Sequence, residues 1–336
     1  MKSRRWYTFL LVLAAILLWS RGAAAGEPVR IRVGWVTAPA QFTPVLFEKK
    51  EILRHYGKSY VMEPMLFRGS PPQITALAAR ELEIAALAPS SFANTIQNAK
   101  LDIKLMADVF QDGVPGKFSI TYAVRTDSPV RSVADLKGKT LATNAIGGAV
   151  DVAARVMLRK NGLDDKRDVT IVEVRFPAME ATLREGKVEA ATLTQPFYHA
   201  AMARGGIRPL FSMRDAMGVS QMIFWTARSD FIAQHREALV DFLEDTIRAL
   251  RWYSDPKNRD EAVAIVARVT KQKPEDLRPW LLTDQDFYRD PDATPNLEAL
   301  QRNVDVLREL GLIKDRFEVR PHADLSLVEA ARARAK

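Results

Sequence analysis

The sequence predicts an α/β protein of two lobes, each a largely parallel sheet flanked by helices, with a helical C-terminal segment. Three observations carry that expectation. Short apolar runs alternate with helical patterns over the first third of the chain, the alternation restarts near Phe118, and one eleven-residue pattern occurs in both halves. Alternation of this kind marks βαβ units, in which parallel strands are joined by crossover helices.

Arg30–Val36, Tyr60–Phe67, Leu82–Leu87 and Ile103–Phe110 have the apolar, β-branched content of strands, and Val45–Tyr56, Pro72–Ala79 and Ser91–Asn98 between them have helical spacing. The second run has strands at Phe118–Val124, Thr140–Thr143, Val169–Val174 and Ala190–Leu193, with helices at Ala149–Asn161, Met179–Glu185 and Phe197–Arg204. The repeated pattern sets Leu77-Ala78-Ala79-Arg80-Glu81-Leu82-Glu83-Ile84-Ala85-Ala86-Leu87 against Leu183-Arg184-Glu185-Gly186-Lys187-Val188-Glu189-Ala190-Ala191-Thr192-Leu193. Each is a helix end, a polar turn and a buried strand. Each leads into a proline-bearing loop, Ala88-Pro89-Ser90 and Thr194-Gln195-Pro196, where the next helix begins. The echo suggests two related lobes.

From Ser229 to Ser254 the spacing of Phe231, Leu239, Phe242, Leu243, Ile247, Leu250 and Trp252 predicts one long helix. Helices at Arg259–Thr270 and Asn296–Leu310 come next without strand alternation, so the tail is expected to pack on a lobe already built. The Asp- and Pro-rich stretch from Thr283 to Asn296 reads as a solvated surface loop. Its Asp284, Asp286, Asp290 and Asp292 lack the spacing and glycine of a calcium loop, and no metal site or cofactor is expected.

The first residues read as an export signal. Lys2, Arg4 and Arg5 precede an apolar run from Trp6 to Trp19, and Ala23-Ala24-Ala25 supplies a small-residue cleavage site. The run is shorter than the ~20 residues of a spanning helix. Cleavage after Ala25 is expected, with residues 1–25 removed and the mature chain in the periplasm; Ser3-Arg4-Arg5 leaves the twin-arginine route open beside the general secretory one. The absence of cysteine excludes disulfides, a thiolate metal site, a cysteine nucleophile and lipid attachment through cysteine, so a soluble protein is expected. The formal charge of +8 falls to +4 once Lys2, Arg4, Arg5 and Arg21 leave. Basicity that mild argues against nucleic acid as a partner and suits the attraction of small anions.

Three segments resemble the periplasmic binding proteins of ABC importers for nitrate, sulfonates, taurine and thiamine precursors: Val29–Trp35 as first strand, Ala76–Ala88, and Asp127-Ser128-Pro129 leading through Asp135-Leu136-Lys137-Gly138-Lys139. The last is the most specific, and weaker matches at Asn161-Gly162-Leu163 and Ser229-Asp230-Phe231-Ile232 extend the resemblance along the mature chain. Arg80, Glu83 and Glu189 depart from the glycine and aspartates usual in that family, which leaves the substrate subgroup open. The resemblance implies a two-lobed type II, or Venus flytrap, binding protein. Residues 26–122 and 226–336 would form the first lobe and 123–225 the second, with hinge crossings at Tyr122–Arg125 and Gln221–Thr226. It also implies a small-molecule ligand, a permease partner in the inner membrane and a monomeric chain.

Ligands of open α/β sheets bind where loops leave the carboxyl ends of strands. Those loops hold Trp35, Thr37, Gln41 and Phe42; Arg68, Gly69 and Ser70; Pro89, Ser90 and Ser91; Asn144, Gly147 and Gly148; Phe176; and Thr194, Gln195, Phe197 and Tyr198, with Trp225 at a crossing. Several open helices, whose free N–H groups suit a carboxylate or sulfonate, although the same residues serve as ordinary caps. Arg68 offers a bidentate counter-charge, and the aromatics predict an apolar ligand body.

An enzyme of the same fold is the main alternative, since the resemblance extends to thiamine-pyrimidine synthases; a ligand sensor docking on a receptor is another. The four histidines, His55, His199, His235 and His322, fall on different elements, and no triad or metal cluster is visible in the sequence. The expectation is a binding protein with no catalytic residue.

Overall fold

A computed structural model describes residues 27–336, so the expected export signal lies outside the described residues. The strands form two five-stranded sheets. In the first, β2 (Tyr60–Leu66), β1 (Val29–Trp35), β3 (Ile84–Leu87), β10 (Ser220–Arg228) and β4 (Ile103–Asp112) lie in that order; in the second, the order is β7 (Thr170–Glu173), β6 (Thr140–Thr143), β8 (Ala190–Leu193), β5 (Thr121–Arg125) and β9 (Ile207–Ser212). β1 pairs in parallel with β2 and β3, as β6 does with β7 and β8. The fourth strand of each sheet, β10 or β5, runs antiparallel to both neighbours. Each sheet is thus largely parallel with one reversed strand, in the same place.

The repeated pattern ends in β3 and β8, the third strands of the two sheets, and all their side chains are buried. The correspondence extends upstream at the same spacing. Helix α1 (Ser70–Ala78) has Gly69 as N-cap and prolines in its first turn; α4 (Phe176–Arg184) has Arg175 as N-cap and Pro177 in its first turn. Leu77 and Leu183 lie 106 residues apart, as do Pro71 and Pro177. Between these helices in sequence come α2 (Pro89–Asn94) and α3 (Ala149–Lys160), and α5 (Phe197–Arg204) comes after β8.

The chain leaves the first sheet after Asp112, enters the second at Thr121, and returns between Ser212 and Ser220. The expected crossings at Tyr122–Arg125 and Gln221–Thr226 fall inside β5 and β10, and boundaries after Tyr122 and Trp225 would cut both strands. The reason is pairing: Thr121–Val124 is bonded on both sides, to β8 and β9, and Phe224–Ala227 to β3 and β4. The crossing segments instead hold turn formers. Gly113 and Gly218 both have positive φ, +76° and +66°, and a Cβ on Gly113 would lie 2.5 Å from the Gly218 carbonyl oxygen, so the two connections touch.

Other departures have local causes. No regular helix spans Val45–Tyr56, which holds only a 3₁₀ turn at Lys50–Ile52. The Asp245 carboxylate accepts the N–H groups of Arg54, His55 and Tyr56, which a helix would have used internally. The long C-terminal helix breaks at His235 into Ser229–Gln234 and Arg236–Ser254. β9 has no counterpart among the expected strands, because Pro209 reads against one; it is tolerated at this sheet edge. The stretch from Thr283 to Asn296 is not simply solvated: Asp286 and Phe287 are buried, Asp286 pairs with the buried Arg289, and Tyr288 bridges to Gln111 on β4.

Candidate functional site

The loops at the carboxyl ends of β1, β2, β7 and β8 face one another across a cleft of about 850 Å³. Trp35, Thr37, Phe67 and Arg68 line it from the first sheet's side; Arg175, Phe176, Phe197, His199 and Arg204 line it from the second. Val269, Thr270, Gln272, Glu275 and Asp276 form a third wall. At the inner end lies a chamber of about 40 Å³ that shares Val36, Thr37 and Phe176 with the outer cleft. Its floor is apolar, made by Phe110, Ile120, Met222 and Ile223 beside the crossings. Its polar groups are the uncharged side chains of Thr37, Gln41, Ser70, Asn144 and Thr194.

Three helices begin at this chamber, since Gly69 and Ser70, Gly148 to Val150, and Phe176 all line it. None of the three has a side-chain cap. The first amides of a helix have no internal acceptor, and its dipole favours negative charge there. The donors are unequally distributed. Prolines deprive α1 and α4 of early N–H groups, whereas α3 opens Ala149-Val150-Asp151 with all three, the Gly148 N–H being bonded to the Ala145 carbonyl. The buried Asp151 in the first turn of α3 is neutralised by Arg155 at 3.0 Å and accepts the Gly147 N–H. The chamber can therefore hold a small anionic group on main-chain amides and hydroxyls, and the outer cleft an apolar body.

Trp35, Thr37, Gln41, Arg68, Gly69, Ser70, Asn144, Gly148, Phe176, Thr194 and Phe197 line one or both cavities, as does His199. Gln41 also accepts the Val36 N–H at 2.9 Å, and Ser70 donates to the Ala86 carbonyl at 3.0 Å, so both shape the site as well as face it. Arg68 lies at the mouth with its guanidinium 3.1 Å from Glu173 at the end of β7. Ser90 and Gly147 meet across the lobes, where the Ser90 hydroxyl donates to the Gly147 carbonyl at 3.3 Å.

The remaining expectations fall away from the cavities. Phe42 is buried against Tyr253 and under the Arg289 guanidinium, because the turn after Gln41 folds into the core. Trp225 sits inside β10 and packs on Phe242. Pro89 and Ser91 are buried in the first turn of α2. Gln195 is buried and donates to the Gln285 carbonyl, and Tyr198 turns to Phe118. Sequence reasoning missed Arg175, whose place at a helix start after an edge strand was legible only through its correspondence with Gly69. It also missed the wall from Val269 to Asp276, which carries no signal in the chain.

Among the described residues one group has metal-like spacing, His55, Asp241 and Glu244. It lies outside the cleft, and Arg248 and Arg334 already neutralise its carboxylates. Beneath the chamber, β4 carries two fully buried carboxyls, Asp108 and Asp112. Burial pushes both up to about 7, against hydrogen bonds from Gln221 and the Asp290 N–H to Asp108, and from Ser119 and the Ile120 N–H to Asp112.

Two α/β lobes of matching strand order, joined by two touching crossings and facing each other across a cleft, define the fold of the periplasmic solute-binding proteins. The chain belongs to the NMT1-like family, whose profile matches residues 24–267. It is 26% identical over 206 residues to the putative aliphatic sulfonates-binding protein of Escherichia coli strain K12, a match covering 60% of each chain. The alkanesulfonate-binding protein SsuA from Xanthomonas axonopodis pv. citri, solved with MOPS bound, superposes with a TM-score of 0.70 at 20% identity, over 90% of this chain and all of that one. The desulfurization enzyme DSZB has the same fold, with a TM-score of 0.64 at 16% identity over 92% of this chain and 100% of its own.

Proposed function

We propose that this protein is the periplasmic solute-binding component of an ABC importer, and that it takes a small organic anion, a sulfonate or carboxylate with an apolar or aromatic body. The observation that carries this reading is the two-part cleft: an uncharged inner chamber where three uncapped helix starts converge, opening into a larger cleft walled by Trp35, Phe67, Phe176 and Phe197. The anionic head sits at the start of α3, where the free amides are, and the apolar body extends outward. The E. coli and Xanthomonas relatives, named for binding sulfonates, support the ligand class.

The lobes divide at residues 113–120 and 213–219, and closure is a hinge motion about the touching Gly113 and Gly218. The protein acts by binding and release, without turnover, as a monomer that docks on an inner-membrane permease and has no nucleic-acid partner. The mature chain starts at Gly26. Intact mass and light scattering of exported protein test these last statements.

A thermal-shift screen with alkanesulfonates, benzenesulfonate, aromatic carboxylates, nitrate and neutral pyrimidines tests the ligand class, because a ligand of the folded state raises the melting temperature. Stabilisation by sulfonates or carboxylates is the expected result. Tight binding of a neutral pyrimidine with no response to the anions overturns the reading, and conversion of any hit to product points to an enzyme.

A further inference from the structure

Arg68 is held from two directions by the opposite lobe. Its guanidinium lies 3.1 Å from one Glu173 oxygen, and its carbonyl accepts the Asn144 side-chain amide at 2.6 Å. Glu173 is itself double-ended: its other oxygen accepts the Ile146 N–H at 2.8 Å. The segment so tied, Asn144 to Gly148, is the loop that delivers α3 to the inner chamber. Contact between the lobes is tight here, since a Cβ on Gly69 would come 2.6 Å from the Ala145 Cβ. β2 and β7, which end at this clasp, are the outer strands of their sheets, and the crossings join β4 to β5 and β9 to β10 elsewhere.

We infer that Arg68 and Glu173 are positioning residues: they clasp the cleft shut and in the same act fix the 144–148 loop that presents the amides of α3. A guanidinium committed to Glu173 does not meet the ligand's charge. Its contribution is to the fraction of molecules already closed, and hence to affinity for every ligand alike. The inference rests on the proposed closure of the lobes over a ligand, but it concerns the unliganded protein and is tested without any ligand. Failure of the ligand class and failure of the clasp are therefore separate results.

The chain has no cysteine, so labels can be placed freely. Thr75 on α1 and Ala181 on α4 are both exposed, at corresponding positions of the two lobes. Spin labels on Thr75→Cys and Ala181→Cys, read by pulsed dipolar spectroscopy, give the distribution of distances between the lobes. An exposed ion pair is worth at most about 1 kcal/mol, so Arg68→Gln or Glu173→Gln is expected to raise the open-to-closed ratio roughly two- to fivefold. Rising salt should open the clasped protein and leave both variants unmoved. Arg68→Lys, which keeps charge without the fork, should fall between. Unchanged distributions in both glutamine variants, with melting temperatures like that of the labelled parent, overturn the inference. So does a parent that is fully open, or one whose distances ignore salt.

Discussion

In the first lobe, the helix that starts at the chamber opens Ser70-Pro71-Pro72, and two of its first three residues have no N–H to offer. In the second, α3 opens Ala149-Val150-Asp151 with every amide in place. The sheets beneath are alike in strand order and in the position of the reversed strand. One scaffold thus supplies two surfaces: a second lobe that offers main-chain donors, and a first lobe that offers the side chains of Thr37, Gln41 and Ser70. In the proposed site, recognition depends on the loop and helix start after each strand more than on the strands.

The comparison breaks most sharply at the shared core. Leu77 and Leu183 occupy equivalent, fully buried positions, and Leu→Ala at either should cost about 2–5 kcal/mol. Denaturant titration should give similar losses; a loss below about 1 kcal/mol at one of them would show that the lobes are packed differently. The next effect separates the lobes by pH. Asp108 and Asp112, both pushed up to about 7 by burial, favour the protonated state on folding. The stability they lend is full below about pH 4 and is lost as pH rises to about 7, on the order of 2 kcal/mol for each group between pH 5 and 8. In the second lobe, burial opposes but Arg159 and Arg155 hold Asp165 below the usual carboxylate range, and Arg204 and Arg184 do the same for Glu180 against their own burial cost. Those groups lose stability only on acidification below the ordinary carboxylate range. Melting curves of the parent and Asp112→Asn should therefore converge only below about pH 4, where the carboxyl is protonated in folded and unfolded chains alike, and part most widely by pH 8, with the variant the more stable there.

A smaller effect is expected at the line of contact. Gly69→Ala places a methyl group against Ala145 only when the lobes are shut, so calorimetric titration with the best hit of the thermal screen should show roughly tenfold weaker binding at unchanged melting temperature. Arg68→Ala should act least. Its side chain is 58% exposed and its partner's 30%, so affinity should fall no more than about fivefold, and equally for charged and neutral ligands. A hundredfold loss confined to anions would return Arg68 to the ligand.

Much of this was legible in the chain. Strand runs such as Ile84–Leu87 and Ala190–Leu193 are apolar throughout because both faces are covered, and the repeated pattern places them as partners. Loops after strands located most of the lining. What the sequence could not show is where a loop turns. Phe42 and Gln41 are adjacent, yet Gln41 faces the chamber and Phe42 the core under Arg289. The pairing of Arg68 with Glu173 spans residues 105 apart, and neither neighbourhood signals the other. The crossings lie outside the positions expected for them because β5 and β10 carry the same apolar signal as any buried strand, and only their hydrogen-bonding assigns them to a sheet.

β10 has a consequence for how the molecule comes into being. It lies between β3 and β4, which do not bond to each other, so the first sheet stays in two pieces until Arg228 is available. The second sheet, from Thr121 to Ser212, is contiguous and can be finished earlier. A chain that emerges N-terminus first therefore completes its inner passage before its outer ones, and β4 must wait with an unpaired edge while more than a hundred residues go by. An unpaired edge of that kind is where a partly made chain would aggregate or be held by a chaperone, and a fragment ending at Ser212 would carry the fault permanently.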